Sequence, residues 1–185
     1  MRSRRRPPLV KVGAHGLHLV CRGRGHPAVV LEAALTGCHL NWYVVQEEIA
    51  RTTACCSYDR AGLGWSDPGP PPRTARRLAA ELHELLARAG VPPPYVLVAH
   101  SFGAWAARVF AAAYPDEMCA LVLVDPAEPS EWCPVTDAQR RTLAKGAVLC
   151  RRGAFAARLG LASLVARLSG RRAFRAARFI VGVMS

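Results

Sequence analysis

A serine stands in a short segment whose residue types suit a nucleophile. Residues 95–98 predict a buried strand, Ser101 follows shortly after, and an alanine-rich helical pattern begins at once. A tight turn between a strand and a helix holds a serine hydroxyl clear of its surroundings, where it can attack a carbonyl carbon. Such a turn leaves room only for small neighbours, and Ala99, Gly103 and Ala104 meet that need. The segment predicts Ser101 as a catalytic nucleophile, with an ordinary serine among small residues as the alternative.

A second motif lies at residues 58–67, which read YDRAGLGWSD. Its glycines could suggest a dinucleotide-binding loop, but the third glycine is missing and prolines follow where a helix should begin. Together with the serine turn and the VLVDPA stretch at 122–127, the motif resembles the α/β-hydrolase superfamily. The resemblance is to single-domain esterases, peptidases and haloperoxidase-like enzymes of the AB hydrolase-1 type. It covers about residues 9–130.

This resemblance implies hydrolysis of an ester, amide or related carbonyl bond in a small-molecule substrate through an acyl-serine intermediate. It also implies an oxyanion hole made of two backbone N–H groups. One belongs to Phe102, directly after the nucleophile, and the other maps onto Leu35 in the loop of residues 32–37. No cofactor and no metal ion are expected.

The catalytic residues of the family follow the order serine, acid and histidine. All six histidines of this sequence precede Ser101, so the usual base and the acid after the seventh strand are missing from these residues. The expectation is a C-terminally truncated chain with impaired activity. Asp125 matches an alternative acid position of some relatives, although an aspartate before Pro126 also commonly caps a turn.

The histidines near the predicted site need separate interpretation. His100 adjoins Ser101, but neighbouring side chains at a strand end point to opposite sides, so we expect His100 to pack beneath the turn. His39 follows the oxyanion loop and either lines a pocket or is an ordinary loop residue. The remaining histidines are expected in the N-terminal hairpin and its loops, or on a solvated helix face: His15, His18, His26 and His83.

The elements that must position these residues alternate between strands and helices, which indicates an α/β fold with a mostly parallel sheet and helices on both faces. About six strands are present, and the last two strands of the family are missing. The predicted elements are a hairpin at 9–20, strands at 27–32, 54–59, 95–100 and 120–125, an amphipathic segment at 42–51, and helices at 74–90 and 103–114. The predicted domains are a basic tail at 1–8, a partial hydrolase core at 9–130 and a helical cap at 131–185.

The net charge of +12 is concentrated at one end of the chain. Residues 138–185 contain eleven of the 25 Lys and Arg side chains and none of the 13 Asp and Glu side chains. This is compatible with an alternative function, a non-catalytic protein whose basic helical region binds an anionic membrane or nucleic acid. The simpler interpretation is a cap whose acidic partners are missing, and no specific nucleic acid is then expected. No apolar run is long enough to predict a transmembrane segment.

The seven cysteines form no CxxC pair, and several lie in strand-like runs where a reduced cysteine acts as a small apolar residue. Neither a disulfide framework nor a zinc site is therefore expected, and the predicted location is the cytoplasm.

One strand is expected to lack a neighbour. Residues 120–125, ALVLVD, resemble the sixth strand of the family, which the missing seventh strand would cover. The segment has no lysine or proline to discourage pairing, so self-association through this sheet edge is predicted.

Overall fold

A computed structural model describes residues 7–132, 135–145 and 148. It divides into two compact units, residues 1–127 and 128–185. The strands are β1 Val10–Val12, β2 His15–Leu17, β3 Leu19–Arg22, β4 Ala28–Glu32, β5 Cys55–Tyr58, β6 Tyr95–His100 and β7 Met118–Val124. The helices are α1 Tyr43–Ile49, α2 Ala75–Arg88, α3 Gly103–Ala113, α4 Pro129–Trp132 and α5 at 137–145, with 3-10 turns at His39–Trp42 and Pro115–Glu117.

The main sheet of the first unit has five strands in the order β3-β5-β4-β6-β7. Strands β5, β4, β6 and β7 run parallel to one another, and only β3 is antiparallel to its neighbour. This arrangement confirms the predicted α/β class with a mostly parallel sheet. The described residues contain seven strands, but two of them form a separate hairpin, so the sheet itself holds five where about six were expected.

The N-terminal hairpin differs from its prediction. Strands β1 and β2 pair with each other, whereas residues 19–22 leave the hairpin and join the main sheet beside β5. The chain passes from one sheet to the other at His18, whose N–H donates to Ser66 Oγ at 2.8 Å and whose carbonyl accepts from the Asp59 N–H at 3.0 Å. These two hydrogen bonds stabilise the change of sheet at His18. The alternation of apolar and polar residues at 17–20 is unbroken and could not predict it.

Both faces of the central strands are covered, as their continuous apolar runs predicted, whereas β7 is partly exposed. On one face, the core joins alternate strand residues such as Val30 and Leu97 to Phe110 of α3 and to three leucines of α2, Leu82, Leu85 and Leu86. On the other face, Val29 and Leu31 pack with residues of α1 and the turn before it. Helix α2 lies within the predicted range 74–90. Thr74 is its N-cap, and the helix ends two residues before Gly90, which has a left-handed φ.

The structure contradicts the expectation that all cysteines are reduced. Cys21 of β3 and Cys56 of β5 are paired across the antiparallel ladder and joined by a disulfide. Disulfides are typical of oxidising compartments. The predicted cytoplasmic location rested on reduced cysteines. It stays a prediction, and the disulfide is an observation against it.

In the second unit, the described residues form α4 and α5. The predicted cap, the alternative of a basic binding region, and the tail at 1–8 fall mostly outside the described residues. Among the residues that were searched, no helix combines the length and apolar character needed to cross a membrane.

Candidate active site

The predicted nucleophile lies on a strained turn between β6 and α3. Ser101 has a φ of 52°, a left-handed conformation that residues other than glycine rarely adopt. Its N–H donates to the carbonyl of Val124 at 3.1 Å, and its own carbonyl accepts from the N–H groups of Ala104 at 3.0 Å and Ala127 at 3.1 Å. These bonds fix the turn on both sides. The side chain of Ser101 is partly exposed, as a nucleophile requires.

Small residues surround the turn because other backbone lies against it. A Cβ added at Gly103 would lie 2.6 Å from the carbonyl oxygen of Ala33 and 2.8 Å from Glu32 Cγ. Ala99 and Ala104 are completely buried. The loop after β4 therefore packs directly on the start of α3, and a larger residue in this position would push the two apart.

Gly103→Ala is expected to destabilise the protein by about 1 to 3 kcal/mol, because the new methyl group overpacks a site without space. It should also slow any reaction of Ser101, because the turn and the loop must move apart. Urea unfolding and the labelling rate of Ser101 measure the two effects. Gly90→Ala is the matched control: nothing lies within 4 Å of its added Cβ, so only its left-handed φ should cost stability and labelling should not change.

The predicted oxyanion loop follows β4 at the same edge of the sheet. Leu35, the expected second donor, lies in an exposed part of the loop, with 45% of its surface accessible. The loop is tied to Arg60, which directly follows the motif's aspartate. The Arg60 guanidinium donates to the carbonyl oxygens of Ala33 at 2.6 Å, of Leu35 at 2.9 Å and of Ala34. It also lies 5.6 Å from the ring centre of Phe102.

Glu32 is an ionisable residue that is completely buried beneath this loop. Its carboxylate accepts hydrogen bonds from Arg60 and from the Tyr58 hydroxyl. Burial raises the pKa of Glu32 above its ordinary value, and the Arg60 charge opposes that rise. Burial, and then the neighbouring Glu32, raise the pKa of Tyr58 as well. The three side chains form a buried polar network at the base of the site.

Asp59 is the centre of a second buried network, which the sequence did not predict. Its carboxylate accepts from the Nδ1 atoms of His18 at 2.9 Å and His39 at 2.8 Å, and from the backbone N–H groups of His39 at 2.7 Å and Trp65 at 3.0 Å. Burial alone would raise the pKa of Asp59, but these hydrogen bonds together outweigh it and hold the pKa well below its usual range. Asp59 is therefore an ionised hub that joins three loops.

The remaining motif residues serve the same hub. Gly64 has a φ of 51°, and any Cβ at this position would overlap with the Asp59 carboxylate. The Ser66 hydroxyl donates to the Asp59 carbonyl at 2.6 Å and accepts from the His18 N–H. Asp59, Gly64 and Ser66 therefore each have a structural role in the motif, and these roles explain their spacing.

With this geometry in view, the sequence profile of the family described as alpha/beta hydrolase fold matches residues 27–159. The chain belongs to the α/β-hydrolase family. It is 39% identical over 90 residues to an AB hydrolase superfamily protein of Gibberella zeae, which covers 48% of this chain and 28% of that protein. It is 31% identical over 102 residues to a putative carbamate hydrolase, RutD, of Cronobacter turicensis. That match covers 55% of this chain and 38% of RutD.

A solved structure, Cfl2 of Burkholderia cenocepacia, superposes with a TM-score of 0.62 at 32% identity, over 65% of this chain and 41% of that one. The chain spans less than half the length of each of these proteins.

In this member of the α/β-hydrolase family, Asp125 directly follows β7, the strand beside β6. The structure therefore places Asp125 and Ser101 at the carboxyl ends of two neighbouring parallel strands. Asp125 is exposed and has a φ of 43°. The bonds from Ser101 to Val124 and from Ala127 to Ser101 flank it on both sides. This position suits both alternatives, a catalytic acid and an aspartate that shapes the turn.

The structure gives four histidines of this chain defined neighbours, and those of His83 differ from the expectation. The His100 ring lies 6.5 Å from Trp42, near-perpendicular to it, on the α1 side of the sheet. His83 was expected to be solvated, but its Nε2 atom lies 3.0 Å from Glu117 Oε1. Its ring also stacks on that of Tyr114, with 3.9 Å between the ring centres, because α2 packs beside the end of α3. His18 and His39 belong to the Asp59 hub, so His39 is more than an ordinary loop residue.

Donor atoms of His18, His39 and Asp59 lie within 4.8 Å of one another, which is close enough to suggest a metal site. The hydrogen bonds argue against it. Two of the four donors to the carboxylate are backbone amides, which cannot release a proton to become ligands. Both imidazoles already point Nδ1 at the same carboxylate. We interpret the cluster as a hydrogen-bonded hub.

Proposed function

We propose that this chain is a serine hydrolase that uses Ser101 to cleave an ester, amide or related carbonyl bond in a small molecule. The left-handed φ of Ser101, between a parallel strand and a helix, is the observation that carries the proposal. Strain in an isolated non-glycine residue is costly and typical of functional sites. The restriction of neighbouring positions to alanine and glycine supports it.

The proposed reaction begins when Ser101 Oγ attacks the substrate carbonyl carbon. The carbonyl oxygen becomes negatively charged and is bound by the N–H groups of Phe102 and Leu35. The C–O or C–N bond of the substrate then breaks, the leaving group takes a proton, and water hydrolyses the acyl-serine. Asp125 is the candidate acid of this machinery, at the end of the neighbouring strand.

We expect turnover to be slow, because no histidine of the sequence follows Ser101 to serve as the usual base. Proton transfer must then go to water or buffer. An oxyanion hole and substrate binding alone still accelerate hydrolysis over the uncatalysed reaction. Esters, which have better leaving groups than amides, are the substrates most able to react. The carbamate named for RutD is a related carbonyl bond.

Fluorophosphonate labelling followed by intact-protein mass spectrometry tests the nucleophile. We expect one adduct on the native chain, formed slowly compared with a complete serine hydrolase under the same conditions, and no adduct on Ser101→Ala. Peptide mapping should place the adduct on Ser101.

Labelling that survives in Ser101→Ala would falsify the proposed nucleophile. Ser185→Ala is a matched control, outside the described residues, and should label like the native chain. Labelling as fast as in the complete hydrolase would show that a histidine before the turn acts as base; His39→Ala would then identify it.

A further inference from the structure

Arg60 contacts both segments that are proposed to form the oxyanion hole. Its side chain is buried, with 5% of its surface accessible, and among the described residues its ion-pair partner is Glu32. Its other hydrogen bonds go to three consecutive carbonyl oxygens, those of Ala33, Ala34 and Leu35. The guanidinium also lies against the ring of Phe102. This is more bonding than neutralisation of Glu32 requires.

These carbonyl bonds determine where the loop N–H groups point. A trans peptide is planar, so the C=O of one residue and the N–H of the next point in opposite directions. Arg60 binds the Ala34 carbonyl, which also accepts from the Gly37 N–H at 2.9 Å. The N–H of Leu35 must therefore point away from Arg60. A flip of this peptide would turn a carbonyl oxygen toward the developing oxyanion.

We infer that Arg60 is a positioning residue that holds the Ala34–Leu35 peptide in the orientation an oxyanion hole needs. Arginine is suited to this role because its guanidinium offers five donors in a fixed planar fork. A lysine keeps the charge beside Glu32, but its compact ammonium group cannot reach a carboxylate and three carbonyl oxygens in this geometry. The inference rests on the proposed function, since it assigns Arg60 a part in the same reaction.

Two reactions at position 101 separate positioning from a merely structural role. In phosphonylation, Ser101 Oγ bonds to phosphorus, fluoride leaves, the hydroxyl proton goes to water, and the negatively charged oxygen on phosphorus needs the oxyanion donors. In a Ser101→Cys background, iodoacetamide alkylates the thiolate and iodide leaves, without any oxyanion. Peptide mapping distinguishes this thiol from the free cysteines, of which Cys119 is exposed.

We expect Arg60→Lys to slow phosphonylation by about tenfold or more, since loss of one oxyanion donor typically costs about 10² to 10³ in rate. Alkylation at position 101 should change by less than about twofold. Arg73→Lys is the matched control: Arg73 forms a two-point pair with Glu81 at 2.6 and 2.5 Å. It should leave both reactions unchanged.

If Arg60→Lys fails to melt cooperatively, the double variant Glu32→Gln/Arg60→Gln replaces the buried ion pair with two neutral amides, and the same split between the reactions is expected. Equal phosphonylation of the variant and the native chain overturns the inference alone. A parallel loss of both reactions in a folded variant also overturns it, because it shows a general disturbance of the turn. A native chain that takes no label at Ser101 overturns the proposed function and this inference with it.

Discussion

Asp59→Asn is expected to lower the free energy of unfolding by about 3 to 5 kcal/mol, the range typical of breaking a buried charged network. Each oxygen of this carboxylate accepts at least two N–H groups. An amide NH₂ in place of either oxygen would set a donor against those donors, and the remaining neutral oxygen could accept from only part of the set. Urea unfolding followed by circular dichroism measures the change.

The effect of Asp59 should also depend on pH. Hydrogen bonds hold the pKa of the folded carboxylate below its unfolded value of about 3.9. The unfolded state therefore binds the proton more readily, so the stabilisation is complete above about pH 5 and is lost as the pH falls toward the folded pKa. The stability difference between the native chain and Asp59→Asn should shrink steadily from pH 5 to pH 2.

Asp116→Asn serves as the control for both measurements, because Asp116 lies exposed in a 3-10 turn. It should change the free energy of unfolding by less than about 0.5 kcal/mol at any of these pH values. A difference between native and Asp59→Asn proteins that stays constant down to pH 2 would contradict the assignment of Asp59 as an ionised hub.

The sequence predicted those elements whose signals are local. Strand β6 and helix α3 were placed almost to the residue, because an unbroken apolar run meets an alanine-rich pattern at Ser101. The small residues of the turn were expected from its tightness, whereas the loop after β4 that packs on Gly103 lies about 70 residues earlier and could not be expected. Helix α2 was clear for the same reason, with four leucines on one face before a glycine.

The networks beneath the site could not be predicted, because their partners are distant in the chain. The two histidine donors to Asp59 come from positions 41 and 20 residues earlier. Glu32 ends an apolar strand, where a charged residue suggests solvent, yet it is buried because Arg60 arrives 28 residues later. The Cys21–Cys56 disulfide likewise depends on the register between β3 and β5, which the spacing of the cysteines in the sequence does not predict.

These networks give the residues of the 58–67 motif a structural role that does not depend on catalysis. Asp59 and Arg60 are neighbours in the chain but act in opposite directions, one as an acceptor for N–H groups and the other as a donor to carbonyl groups. Together they fix the segments after β2, β4 and β5 at the end of the sheet where Ser101 lies, beside the carboxyl ends of the parallel strands. Loss of either should disturb the site without any contact with substrate.

Val122→Lys is expected to convert a self-associating chain into a monomer. Strand β7 is the last strand of the sheet among the described residues, and an edge strand offers N–H and C=O groups to another chain. Val122 and Val124 on its outer face are 44% and 41% exposed, so apolar side chains accompany this edge. A lysine at position 122 places a charge that an incoming strand would have to bury.

The structure also determines which residue of β7 to change. Leu121 and Leu123 pack against the core below the sheet, so a lysine at 123 would destabilise the fold and confuse the result. Val44→Lys is the matched control, since Val44 is 78% exposed on α1, away from the sheet edge. It should leave association unchanged.

Size-exclusion chromatography with light scattering, over a range of protein concentrations, decides the question. The native chain and Val44→Lys should elute as dimers or larger species whose share grows with concentration, whereas Val122→Lys should elute mainly as the monomer. A native chain that stays monodisperse and monomeric, and that melts cooperatively, would show that the edge of β7 is covered within the chain itself. An equal loss of association in both lysine variants would mean that added charge, rather than the strand edge, controls it.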